Sequence, residues 1–160
     1  MDKDKDQQLR EQLVNMMQTG QAFRPRQELL AGITLQEASE KVKDLPYTLW
    51  QLLEHMRFAQ HDILNFCRNP DYKEPTWPDD YWPKNAQPPS EGELQQTLQA
   101  LTNDLHAMVS LVQDTNNDLF TPIPHGDGQT LLREAMLMAE HSAYHLGEII
   151  VLRRLLGNIK

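Results

Sequence analysis

The chain has little with which to form disulfides, cross a membrane or bind a polyanion. One cysteine, Cys67, among 160 residues excludes an intramolecular disulfide framework. No run approaches the roughly eighteen apolar residues that a membrane-spanning helix needs. Basic residues are in deficit, 15 Lys plus Arg against 23 Asp plus Glu, and the net charge of −8 disfavours attraction to nucleic-acid backbones or anionic lipid surfaces. Neither is expected as a partner. Valine and isoleucine are scarce while Leu, Gln, Glu, Ala and Met are common, a balance that favours helix over sheet. The opening Met-Asp-Lys-Asp-Lys-Asp lacks the apolar stretch of a secretory signal, so the expected compartment is the cytoplasm. One composition class throughout, at a length that supports one substantial core, predicts a single domain over residues 1–160.

What is present is helical periodicity. Along residues 6–18, Leu9, Leu13, Met16 and Met17 fall on one side with charged and amide residues opposite, and Gly20 supplies a stop. Residues 21–32 read as a connection in which Pro25 biases Arg24 away from helix. Thr34 followed by Glu37 has the spacing of a capping box and predicts a short helix to about Val42. Asp44-Leu-Pro46 then offers an N-cap and a first-turn proline for a long helix from Tyr47 to Cys67, with Leu49, Leu52, Met56, Ala59, Ile63 and Phe66 on its apolar stripe. Residues 69–92 carry six prolines, which rule out a long regular helix, and the aromatics Tyr72, Trp77, Tyr81 and Trp82, which predict an ordered loop packed across one end of the domain. A third long helix spans 93–115 on Leu94, Leu98, Leu101, Leu105, Met108, Val109 and Val112. A turn-rich connection leads to the fourth, 130–156, which contains no proline and one glycine. Four main helices with a long connection between the second and third predict an all-α four-helix bundle with a crossover, the second and third helices running parallel.

The chemistry centres on His141 and His145, four residues apart and therefore on one face of the last helix. Steps of three and four through Met138, His141, His145, Glu148, Leu152 and Leu155 put the pair on the core-facing stripe, and His55, between Leu52 and Ala59, points inward from the second helix. Three neutral imidazoles suit zinc, nickel, iron or copper and leave a coordination position open. A lone histidine on an apolar face is more often a hydrogen-bonded core residue, so spacing leaves both readings open. His61 lies about 120° around the helix from His55 and is expected at the periphery, and His106 faces solvent. Ser142 directly after His141 excludes the His-Glu-x-x-His protease pattern, and the absence of Glu-x-x-His excludes a di-iron carboxylate bundle.

Other groups carry weaker signals. Glu148 fits a residue that supports a ligand, or a core-edge residue, better than a direct ligand; Arg153 and Arg154 are not at the spacing for an ion pair with it. Cys67, at a helix C-terminus where the dipole raises a thiol pKa, reads as packing. The segment Pro124-His-Gly-Asp-Gly-Gln129 could bind an anion on its backbone N–H groups, with an ordinary lead-in to a helix the favoured reading. Tyr144 and the aromatic loop are candidates for a pocket lining, for core or for dimer contacts.

Taken together, Leu49-Trp-Gln-Leu-Leu-Glu-His55 with Ala59-Gln-His-Asp-Ile-Leu64, the loop Trp77-Pro-Asp-Asp-Tyr-Trp-Pro83, Pro122-Ile-Pro-His-Gly-Asp-Gly-Gln129, and His141-x-x-x-His145-Leu-Gly147 followed by Arg153-Arg-Leu-Leu-Gly157 resemble the DinB-like superfamily over nearly all of the chain after Gly32. The resemblance implies an up-down-down-up four-helix bundle, and a divalent metal, nickel or zinc before others, held by His55, His141 and His145. It implies a metal-dependent hydrolase or thiol S-transferase acting on a small molecule with a low-molecular-weight thiol, as in the bacillithiol S-transferases and mycothiol-dependent isomerases among its members. The alternative is a non-catalytic metal-binding stress-response module. A homodimer is also implied. His61 stands where close relatives would carry an aromatic, and no role at the site is assigned to His61, His125 or Glu148.

Overall fold

The computed structural model describes residues 3–19 and 22–159, and within them six helices: α1 Lys3–Thr19, α2 Arg26–Leu30, α3 Leu35–Ser39, α4 Leu49–Arg68, α5 Glu91–Gln113 and α6 Leu131–Leu155. Among the described residues no helix is long and apolar enough to cross a membrane. Gly20, the expected stop of the first helix, lies outside the described residues. The long helices α1, α4, α5 and α6 form the bundle. Side-chain contacts set their directions. Glu54 pairs with Thr97, Gln60 with Leu101 and His61 with Asp104, a register that climbs together, so α4 and α5 are parallel. Tyr47 meets Glu148 while His55 meets His145 and His141, so α4 and α6 are antiparallel. Arg10 reaches the Val112 carbonyl, whereas Gln18 and Thr19 share a cleft with Leu98 and Thr102, so α1 and α5 are antiparallel. These pairings fit an up-down-down-up chain, and the parallel pair accounts for the 69–90 crossover.

The helix starts are chemical. Thr48, Ser90 and Thr130 each accept the N–H three residues on, from Gln51, Glu93 and Arg133. The cap of α4 is therefore Thr48 and not Asp44. Thr48 and Gln51 form a reciprocal capping box, while Asp44 sits at φ 66 in a preceding turn and Pro46 lies before the helix. Thr34 caps α3 as its spacing suggests, but the helix stops at Ser39 rather than near Val42, and Glu37 turns away from the cap to Arg153. Within the expected connection 21–32 there is a further turn of helix, α2, because the Pro25 carbonyl accepts from the Glu28 and Leu29 N–H groups while Arg26 and Leu29 bury.

The core has two apolar clusters stacked along the bundle. One gathers Leu13, Met17, Leu64, Met108, Val112 and Met138; the other gathers Leu29, Leu49, Leu53, Leu94, Ile149 and Leu152. Between them the helices place polar groups: Gln60 on α4, which donates to the Leu101 carbonyl at 2.6 Å and accepts from buried Arg26 at 2.9 Å, and, towards α6, the three histidines. Two stripe positions depart from the expected pattern. Met16 is 54% exposed and Arg10 is buried in its place, spending its guanidinium on the Val112, Asp114 and Asn117 carbonyls at the C-terminal end of α5, where a cation is favoured. Leu155 is 62% exposed because Arg153 takes the inward position at the end of α6.

Arg153 ties α2, α3 and α6 together. Its guanidinium donates to Glu37 Oε1 at 2.6 Å and to the Leu29 and Ala31 carbonyls at 2.7 and 3.0 Å, and both charged side chains are almost fully buried. Removing one partner of a buried pair leaves an uncompensated charge, so Glu37→Ala is expected to lower unfolding free energy by about 3–5 kcal/mol, read from urea midpoints at unchanged m-value. Glu37→Leu with Arg153→Met is expected to recover a large part of that loss.

Candidate metal centre

Each histidine is delivered by a helix whose ends the caps above fix. His55 is on the second turn of α4, and His141 and His145 are on successive turns of α6. His55 and His145 are buried and His141 is half-buried. Their Nε2 atoms form a triangle with sides of 3.1 Å for His55–His145, 3.1 Å for His141–His145 and 3.2 Å for His55–His141.

The outer ring nitrogens decide what that triangle is. His55 Nδ1 lies 3.0 Å from the Tyr81 carbonyl, which can only accept, so Nδ1 carries the proton. His145 Nδ1 donates to Glu148 Oε2 at 2.6 Å, and the Tyr47 hydroxyl donates to Glu148 Oε1 at 2.6 Å. In neutral rings both Nε2 atoms are then bare lone pairs facing each other at 3.1 Å, and one proton on His141 cannot serve both contacts. A shared cation resolves the conflict. An ion about 2.0–2.1 Å from each nitrogen places the nitrogens roughly 3.0–3.4 Å apart, the spacing found. The donor set thus fits a divalent ion, with Tyr81 and Glu148 as the partners that orient ring ligands. Burial, reinforced by the His145 and His55 rings, pulls the His141 pKa down to about 4, and burial also lowers that of His55, so neither needs to lose a proton to bind metal at neutral pH.

The aromatic loop forms one wall. Trp82 stacks flat on His55, centroids 4.0 Å apart and planes 3° apart, and Tyr47 stacks on Trp82 at 5.6 Å. The loop is pinned along α4: the Tyr72 and Tyr81 hydroxyls donate to the two oxygens of Asp62 at 2.9 and 2.6 Å, and Thr48 and Gln51 donate to the Ala86 and Pro83 carbonyls. Burial first, and Asp62 second, raise both phenols, which stay protonated donors. The loop runs along the side of the bundle over the histidines as well as across its end. Over them opens a cleft of about 520 Å³ bordered by Trp77, Tyr81, Leu137, Tyr144, Asp62 and Glu148.

The remaining sequence candidates fall elsewhere. His61 is exposed and 3.1 Å from Asp104, His106 is exposed, and His125 donates from Nε2 to the Phe66 carbonyl at 2.8 Å near the end of α4. In the Pro124–Gln129 segment the Gly126 N–H is taken by the Ile123 carbonyl and the Asp127 N–H by the Gln129 side chain, so the ordinary lead-in holds. Ser142 is buried. Burial, with Glu134 nearby, pushes the Cys67 thiol up to about 12. Tyr47 and Asp62 were missed as functional candidates. A tyrosine and an aspartate on helix flanks carry no spacing signal; only the fold aims them.

The chain is thus a helical bundle in which three inward imidazoles on two helices, open to a cleft, could hold a metal ion. The chain matches the DinB superfamily profile over residues 11–149, and it belongs to that superfamily. No curated protein and no solved structure matches it. Glu148→Gln keeps the shape but weakens the hold on His145 Nδ1–H, and is expected to lower zinc or nickel affinity by about 10- to 100-fold in competition with a chelator; unchanged affinity would show that Glu148 does not support the ligand.

Proposed function

We propose that the protein is a metal-dependent enzyme that joins a small thiol to an electrophile, with hydrolysis by an activated water as the related chemistry. The observation that supports this is the pairing of an open three-imidazole set with a cleft that no cysteine, serine or lysine borders among the described residues. That lining suits a nucleophile that arrives as a ligand of the metal. A divalent ion held by His55, His141 and His145 supplies Lewis acidity, by which a thiol or water becomes nucleophilic near neutral pH. The chain's own groups do the rest. Tyr81 and Glu148 hold two rings in the tautomer that leaves Nε2 free. Trp82 covers one face of His55 and keeps water from it. Burial and then Glu148 push the Tyr47 phenol up to about 12, so at neutral pH it remains a protonated donor at the edge of the cleft.

A second reading, a non-catalytic module whose ion ties α4 to α6, draws support from the position of the histidines between the two core clusters. Two measurements separate them. Elemental analysis after purification with nickel or zinc supplied is expected to find about one ion per chain, lost in His141→Ala; metal-free wild type would end both readings. A screen of low-molecular-weight thiols against alkyl and aryl electrophiles is expected to find turnover that disappears with chelation and in His141→Ala. A metal-loaded protein that turns over nothing across the screen favours the module.

A further inference from the structure

We infer that the cleft over the three histidines selects a ligand whose body beyond its metal-binding atom is apolar and carries no anionic group, an inference that rests on the cleft being the enzyme's working site. Its border contains two carboxylates, Asp62 and Glu148, and no lysine or arginine among the described residues. Both carboxylates are fixed. Asp62 receives a hydroxyl on each oxygen, from Tyr72 and Tyr81, and Glu148 receives Tyr47 on one oxygen and His145 on the other. Neither can swing aside for a second anion without breaking a hydrogen bond to a partly buried donor, and an anion brought in loses its hydration with no cation to replace it. The two negative charges also offset those of a divalent ion, so no net positive field extends beyond the metal-binding atom.

The rest of the surface favours apolar matter. Ala59, Ile63 and Leu137 form the walls, and Trp77 and Tyr144 stand at 67% and 65% exposure on the rim, where a flat molecule can cover them. The cleft thus separates thiols by charge, not by size.

The test uses benzyl mercaptan and its carboxylate counterpart, 4-(mercaptomethyl)benzoate, titrated calorimetrically into cobalt-loaded and metal-free full-length protein, with sulfur-to-cobalt absorption recorded alongside. The neutral thiol is expected to bind about tenfold or more tightly than the carboxylate, in the same order in both forms of the protein. Tyr144→Lys, which adds a cation at the exposed rim, is expected to narrow that gap to about twofold. Equal affinities, a tighter carboxylate, no binding of either compound, or a gap unmoved by the lysine would each overturn the inference. The expected ranking without any sulfur-to-cobalt absorption would leave the ligand class standing and overturn the thiol reading alone.

Discussion

Three imidazole nitrogens 3.1–3.2 Å apart, two of them bare because their rings donate from the opposite side, form the contact on which this bundle turns. Apolar side chains would fill that space with no requirement on tautomer or register. Lone pairs facing each other repel unless a proton or a cation lies among them, and the three nitrogens are close enough together to hold a metal ion. It lies where the two apolar clusters meet, with the Arg26–Gln60–Leu101 polar contacts at a neighbouring level of α4. One helix therefore serves two polar systems, and each restricts how α4 can slide or rotate against its neighbours.

The surrounding residues explain why the imidazoles hold their orientation. Glu148 gathers donors from α6 and from the segment before α4, and Asp62 gathers two tyrosines from the crossover loop. The loop's carbonyl at Tyr81 then reaches His55, and its Trp82 ring lies on the same imidazole. A proline-rich connection becomes a wall because it is hydrogen-bonded along α4 at successive turns. Remote anchors follow the same logic: Arg10 and Arg153 are buried cations that satisfy backbone carbonyls across elements and so hold α1 and the α2–α3 end in place.

Much of this was legible in the residues. Stripes of Leu, Met and Ala at three- and four-residue steps locate α4, α5 and α6, and the i, i+4 histidine pair with His55 marks the site. Prolines at six places between 69 and 92 mark the crossover. Boundaries were less legible where two signals compete. Asp44 before a proline reads as the cap, but the reciprocal bond between Thr48 and Gln51 starts the helix four residues later. Arg10 and Arg153 look like surface charges in sequence, since nothing local reveals carbonyls more than a hundred residues away that satisfy them.

By itself, the sequence determined the all-helical class, the long helices and the three histidines, because each is written in periodicity and local spacing. The tertiary structure alone decided that the Nε2 atoms of His55, His141 and His145 meet, which tautomers the rings hold, that Glu148 also takes the Tyr47 hydroxyl, and that the cleft is walled by aromatics and bordered by two carboxylates with no lysine or arginine among the described residues. The contacts that join α4 to α6 and to the crossover loop are between residues 26 to 101 positions apart, from Tyr81 on His55 to Glu148 on Tyr47, and such pairings leave no periodic trace in the chain.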